Sequence, residues 1–476
     1  MKKISIYILA IGLLVGCTDN LKDATDFTSV TNPNLDEAAI IGKENSATIW
    51  LSGLRRQTSN LLNEAVMLAE LGSDNYVNTQ TFFDQFLDGL EIRTDDPEIS
   101  QTQFAIARLR VMSKFGIESV GPNDPAYDAA TEAEFNFFEG LSYLYAAMYF
   151  SALPQEDGGA PVSAADNYAS AIASFDIAIA ANPQAQYHLA KARANYYLGN
   201  QAEAVASANA ALALDDDFLN SIQFDELNNP DNTFEDALYE RATFDDLQPL
   251  PTLDFLDPKY SRIDANDDAP IHILKAEEAY LILAEAALAD NNIAGARTNL
   301  TSLLTLIASR EVREIDDSIE GRPDASSVFP ARPKTTNVVV NGRPGLVLDR
   351  QAGDVMIPSV SGTSLVQGDV DALTAADDAT LALLYRTRQE VFIAEGIRFA
   401  DMGVKLVIHD NEILQNPNIS DGDPSTVAVI PPFIDAIKGD LDTITFTEGG
   451  TTATTAIDLN AILVANKTSN QVLPFH

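Results

Sequence analysis

Cys17 is the only thiol among 476 residues. A lone thiol can serve as nucleophile, metal ligand or lipid acceptor, but it has no disulfide partner within its own chain. Other reactive groups are sparse. The four histidines, His188, His272, His409 and His476, are scattered without metal-ligand spacing. No Gly-rich phosphate loop and no cofactor motif occur. Asp and Glu together number 70, so counting alone leaves room for a glycosidase pair, yet nothing in their spacing singles one pair out. The chain is read as non-enzymatic, with neither metal nor cofactor.

The elements around Cys17 say which thiol chemistry applies. Lys2 and Lys3 precede an apolar run, Ile4 to Val15, which leads into Leu14-Val15-Gly16-Cys17. A basic start, a short apolar run and small residues before a cut site make a secretory signal. Twelve residues are too few to span a hydrocarbon core of roughly 30 Å as a helix. The four-residue ending resembles the lipobox of bacterial lipoproteins, in which the cysteine becomes the first residue and carries the lipid, palmitate included. Cys17 is the expected lipidation site, and residues 1–16 the signal peptide. No later run approaches 18 apolar residues, so lipid is the expected anchor.

Loss of Lys2 and Lys3 takes the formal net charge from -40 to -42. Such an excess repels polyanions. Nucleic-acid binding needs Lys and Arg to replace counterions around phosphate, so it is not expected. With 46% apolar and 21% charged residues, the composition is globular.

Residues 17–34 are polar and read as a lipidated tether, with Asp19, Asp23 and Asp26 close behind the lipid site. From Leu35 to Leu71 the pattern is helical, with Trp50, Leu51, Leu54, Leu61, Leu62 and Met67 at turns of three and four and Gly72 as the stop. Trp50 reads as core packing. An internal repeat follows. Ala171, Phe175, Ala178 and Pro183 stand at intervals of four, three and five, and 33 residues later Ala204, Ala208, Ala211 and Asp216 repeat them. These positions resemble the tetratricopeptide repeat, in which small residues let two helices approach closely. Phe175 fills the gap, Pro183 ends its helix, and Leu189, Ala192 and Tyr196 mark the helix between.

Glu134 to Phe150 is apolar all round, which predicts a buried helix. Ala276 to Ile307, broken at Asn291-Asn292, predicts a further helical hairpin. Long irregular stretches separate these blocks. Within one of them Val338-Val339-Val340, Asn341-Gly342 and Leu346-Val347-Leu348 predict a β-hairpin. Residues 35–476 are read as a single domain. Its helices are expected near 134–151, 166–215, 272–308 and 380–403, with loop insertions at 216–270, 311–379 and 404–476.

Three ordered segments, together with the lipobox, resemble the SusD/RagB family of Bacteroidota outer-membrane lipoproteins. The first is Glu134-Phe135-Asn136-Phe137-Phe138-Glu139-Gly140-Leu141-Ser142-Tyr143-Leu144, followed by Phe150-Ser151-Ala152-Leu153-Pro154. The second runs from Pro270 through Lys275-Ala276-Glu277 to Ala284-Glu285-Ala286. The third contains Glu390, Glu395, Gly396, Arg398, Phe399 and Asp401 in the family's spacing, and Leu473-Pro474 resembles the family's ending. Ile397 stands where a His is common, and Met402-Gly403-Val404-Lys405 replaces a basic-Trp-Gly continuation.

The resemblance implies a mainly α, SusD-like fold: a tetratricopeptide-repeat-like helical scaffold with long irregular loop insertions and minor β-hairpins. It implies a surface-exposed, lipid-anchored nutrient-binding protein that partners a SusC-like TonB-dependent transporter barrel as a lid. The cargo is oligosaccharide or, in RagB-like members, peptide. A repeat scaffold for outer-membrane assembly is the rival reading. Ligand contacts are expected where family members place them, just after the first long helix, at Asp74, Asn75, Tyr76, Phe82 and Phe83. Tyr260 and Arg262 are further candidates. Sugar capture needs aromatic faces and amide or carboxylate groups. The Glu390–Asp401 motif is read as structural, with Arg398 bridging helices through acidic neighbours.

Overall fold

Helix α1 (Ser46–Leu71) begins at Asn45, in left-handed backbone at φ 66°, with no cap from its own side chain. The cap comes from elsewhere: Asp124 accepts the amides of Asn45 and Ala47 at 3.0 and 2.9 Å, satisfying donors that the first helical turn cannot. Gly72 closes the helix, its N–H donating to Leu68 O. A Cβ there would stand 2.7 Å from the Phe399 ring, so close approach fixes the glycine. In this computed structural model the described residues are 41–78, 85–225, 227, 230–239, 247–260, 268–316, 338–348, 354–447 and 451–476. Cys17, the expected signal at 1–16 and the expected tether at 17–34 lie outside them.

Helix α2 (Pro97–Phe115) starts from Asp96, whose carboxylate accepts the amides of Glu98 and Ile99. Proline at the first helical position lacks only an amide that would be unpaired anyway. Helix α3 (Ala129–Tyr149) is capped by Asp128 and is buried from Ala133 onward along most of its length. All-round apolarity made it a central helix, as its sequence predicts.

Three helical hairpins follow one another, the first made by this helix and the next. Strands β2 (Ala152–Pro154) and β3 (Pro161–Ser163) pair antiparallel and lead from α3 into α4 (Ala164–Ala181). Helices α5 (Ala185–Tyr197) and α6 (Gln201–Leu214) form the second hairpin, α7 (Ala276–Ala289) and α8 (Ile293–Ser309) the third. The repeat positions Ala171, Phe175, Ala178, Ala204, Ala208 and Ala211 have no exposed surface. Phe175 fills the gap against Gly140, where a Cβ would meet its ring at 2.4 Å. Pro183 lies two residues beyond the end of α4, as expected. The fold is mainly α, with tetratricopeptide-type packing.

Helix α9 (Asp378–Val391) and the short α10 (Ile397–Asp401) carry the third motif. Between them Ala394 and Gly396 both take positive φ, 61° and 73°. The remaining strands make small ribbons. β1 (Tyr76–Asn78) pairs with β5 (Leu247–Pro249), β4 (Leu219–Ile222) with β6 (Ile271–Lys275), and β7 (Val312–Asp316) with β9 (Asp354–Pro358), all antiparallel.

The expected hairpin at 338–348 forms only its turn. Asn341 and Gly342 take φ of 49° and 79°, and Val340 and Arg343 exchange both backbone hydrogen bonds, as an Asn-Gly turn favours. No second strand follows. Strand β8 (Val339–Val340) instead runs parallel to β11 (Thr452–Thr455), which pairs with β10 (Ile444–Phe446). Leu346 O accepts from Phe255 N, and the Leu348 amide donates to Asp254, so the downstream arm docks on the turn Asp254–Tyr260. The 404–476 region is not wholly irregular either: α11 (Leu459–Ala465) forms within it, capped by Asp458.

One contiguous core draws on residues from Ala47 to Leu473. A separate small core joins Val338, Val340, Leu346, Val347 and Ala453. The last residues lie against the scaffold: Phe475 meets the Tyr196 ring edge-on at 5.1 Å, and a Cβ on Gly403 would stand 2.4 Å from Gln471 O. No helix among the described residues is long and apolar enough to cross a membrane.

Candidate binding site

The turn after α1 faces inward. Asp74 accepts Arg398 Nε and Nη2 at 2.6 and 2.9 Å. Asn75 donates to Glu70 Oε2 at 2.7 Å and accepts from Gln389 Nε2 at 2.9 Å. Tyr76 is 1% exposed and meets the Phe234 ring edge-on at 5.5 Å. Arg398 also donates to Asn460 Oδ1, and Asn460 donates to Gln389 Oε1. Asp74 and Asn75 are thus committed to an internal network that ties α1 to α9, α10 and α11, while Tyr76 packs on Phe234. All three, expected to face a ligand, here face Arg398, Gln389 and Phe234. A turn rich in polar groups looks the same in sequence whether those groups meet solvent or buried partners.

Phe82, Phe83 and Arg262 lie outside the described residues; Tyr260 ends the turn Asp254–Tyr260. Trp50 packs on Phe115 at 5.1 Å and donates its indole N–H to Met112 O, in keeping with a core role.

The motif carboxylates are equally engaged. Glu278 receives a fork from Arg193 at 2.8 and 2.6 Å, Glu277 one from Arg310, and Asp401 accepts from Arg388 and Tyr197. Glu395 pairs with both Lys259 and Lys275. Glu390 accepts from Thr363 and Ser364. Glu285, wholly buried, accepts from Tyr196 and Tyr385, and burial pushes its carboxyl up to about 7. Glu70 is raised to about 7 by the same cause. These groups cross-link the scaffold. Among the described residues one acidic triple, Asp215, Asp216 and Asp217, could approach a cation together, and it is fully exposed.

Among the described residues a cavity of about 620 Å³ is lined by Asp377, Thr380, Arg386 and Asn460, and two others bear on the site. The smaller, about 400 Å³, lies under the C-terminal residues and is lined by Tyr168, Tyr196, Tyr197, Tyr385 and Lys405. Lys405 donates to Ala147 O and Met148 O at the end of α3, and burial alone lowers its ammonium to about 7. Its role there is to cap α3.

The larger, about 640 Å³, is a groove between the outer face of α2, the β2–β3 turn and residues 409–415. Helix α2 buries Ile99, Thr102, Ile106, Leu109 and Ser113, which leaves Phe104, Arg108 and Val111 outward on one stripe at i, i+4 and i+7. Phe104 is 64% exposed. Gln155, Glu156, Asp157, Asn411, Glu412 and Gln415 also line the groove, with Arg110 among them. An exposed aromatic face amid amides and carboxylates suits a polyhydroxylated ligand: rings stack, and side-chain oxygens accept hydroxyl protons. Sequence reasoning missed this groove. The Asp96-Pro97 helix start and the 104–108–111 stripe were the available signals.

No family model and no curated protein matches the chain, but solved structures share its architecture. A SusD superfamily protein of Bacteroides fragilis superposes with TM-score 0.53 at 15% identity, covering 80% of this chain and 99% of its own. A SusD-like protein of the same species gives 0.51 at 12%, covering 78% and 88%. A candidate sugar-binding protein of Bacteroides vulgatus gives 0.50 at 13%, covering 78% and 89%. The fold is SusD-like.

Proposed function

We propose that this chain is a lipid-anchored, cell-surface nutrient-binding protein of the SusD/RagB kind. It captures an oligosaccharide and delivers it to a SusC-like TonB-dependent transporter barrel, over which it sits as a lid. Two lines support the reading. The fold matches SusD-like proteins over most of the chain. Cys17 follows a lipobox-like segment, which a surface tether requires. The motif carboxylates are engaged with internal partners, which gives them a part in holding the scaffold.

The observation that carries the proposal is the α2 groove, with Phe104 open to solvent beside Gln155, Asn411, Glu412 and Gln415. Its volume lies within the roughly 300–1,000 Å³ of small-molecule sites. Isothermal titration of the mature chain against oligosaccharides and short peptides tests it. Saturable oligosaccharide binding, weakened by Phe104→Ala with the melting temperature unchanged, is the expected result. Binding of peptides alone would move the chain to the RagB-like alternative, and silence toward both classes would favour an assembly scaffold.

A further inference from the structure

Four arginines among the described residues are buried to the same degree: Arg110, Arg193, Arg388 and Arg398 are each 2% exposed. Three of them hold carboxylates. Arg193 forks onto Glu278, Arg388 donates to Asp401, and Arg398 forks onto Asp74. Arg110 touches no carboxylate; Glu139 acts on it only through space. Its Nη1 donates to Pro154 O at 2.7 Å, and its Nε reaches Ser142 Oγ at 3.4 Å. The guanidinium stands 4.7 Å from the centre of the Tyr143 ring, and Nη2 is buried without an acceptor. Burial lowers this arginine to about 10.

The missing counter-ion is informative because acids are so plentiful. The chain carries 70 Asp and Glu against 30 Lys and Arg, and a buried charge left unpaired is strongly destabilising. Of the four arginines, Arg110 alone lines the groove. A planar guanidinium fork matches a carboxylate in geometry and charge.

We infer that the α2 groove takes a glycan bearing a carboxylate, a uronic-acid unit, which supplies the counter-ion that Arg110 lacks while a neighbouring sugar ring lies on Phe104. The inference rests on the nutrient-binding reading above and narrows its ligand class. Nη2 is shielded from solvent, so half-buried lining side chains turn aside as the carboxylate enters. Glu156, Asp157 and Glu412 flank the same groove and repel additional negative charge. The ligand therefore carries an isolated uronate among neutral sugars rather than a run of them.

The test compares a uronate-containing oligosaccharide with its carboxyl-reduced, neutral counterpart by isothermal titration of the mature chain. Wild type is expected to bind the uronate form about tenfold or more tightly, as a charge-assisted hydrogen bond allows. Arg110→Gln should abolish the preference, bringing the uronate ligand down to the level at which that variant binds the reduced form. Phe104→Ala should weaken both. Equal wild-type affinity for the two ligands, or a preference that survives Arg110→Gln, overturns the inference and leaves oligosaccharide capture standing. Failure to bind either glycan while short peptides bind overturns both. Should Arg110→Gln fail to fold, the wild-type comparison of the two ligands still decides.

Discussion

Arg398 and Asp74, 324 positions apart, meet through two hydrogen bonds of 2.6 and 2.9 Å. Their side chains are 1% and 11% exposed, so neither charge is satisfied by water. Removing one partner of a buried pair costs about 3–5 kcal/mol. Asp74→Ala and Arg398→Ala are each expected to lower the free energy of unfolding in urea by about that much. The double variant should lose less than the sum, since each single change strands the other charge. Single losses under about 1 kcal/mol, the range of exposed pairs, would show that water reaches this clasp.

Gly140 is held by the ring that faces it. A Cβ there would sit 2.4 Å from Phe175 Cε1, and Phe175 has no exposed surface to retreat toward. Gly140→Ala is expected to cost about 1–3 kcal/mol by overpacking, despite alanine's better helix propensity. Phe175→Leu in the same chain should recover part of that loss. A stabilising Gly140→Ala would mean that α3 and α4 separate easily.

Stability should fall as pH rises from about 4.5 to 7. Glu285 and Glu70 are each raised to about 7 in the folded chain, so the folded state holds protons that the unfolded state has released. Their contribution is complete below the ordinary carboxyl value and is lost as pH climbs through the folded one. Glu285→Gln should flatten part of this dependence in urea melts at successive pH values, because the amide keeps its tyrosine partners and does not ionise. An unchanged slope would show that Glu285 is ionised across that range.

Cys17→Ser should release the protein from the membrane. Lipid is the only anchor the proposed function provides, and acyl chains bind at about 0.8 kcal/mol per buried methylene. Fractionation and labelled-palmitate incorporation read the outcome. A variant that still pellets with outer membranes in high salt would point to a different attachment.

The parts legible in the sequence are those where local pattern and tertiary role coincide. The 33-residue echo from Ala171 to Ala204 marks helix faces that must touch, because only small side chains permit that approach. All-round apolarity placed α3 at the centre for the same reason. The misreadings share another cause. Val338–Val340 and Leu346–Leu348 alternate like a hairpin, but the partner of β8 lies over a hundred residues away in β11, and nothing local announces it. Helix α11 has only seven residues, too few for a period to register. Asp74, Asn75 and Tyr76 carry groups suited to a ligand, and those groups suit Arg398, Gln389 and Phe234 equally well. The groove escaped because its residues come from three separated stretches brought together by folding.

The small core of Val338, Val340, Leu346, Val347 and Ala453 does not merge with the large one. Half-buried Phe255 touches both. A patch with so few apolar contacts can open at a free energy well below that of global unfolding. The amides of β8, β10 and β11 should therefore exchange with solvent hydrogen as one group, ahead of those in α3. The decorated side of the molecule can rearrange while the helical stack keeps its shape, much as a cuff turns on a sleeve that stays fixed.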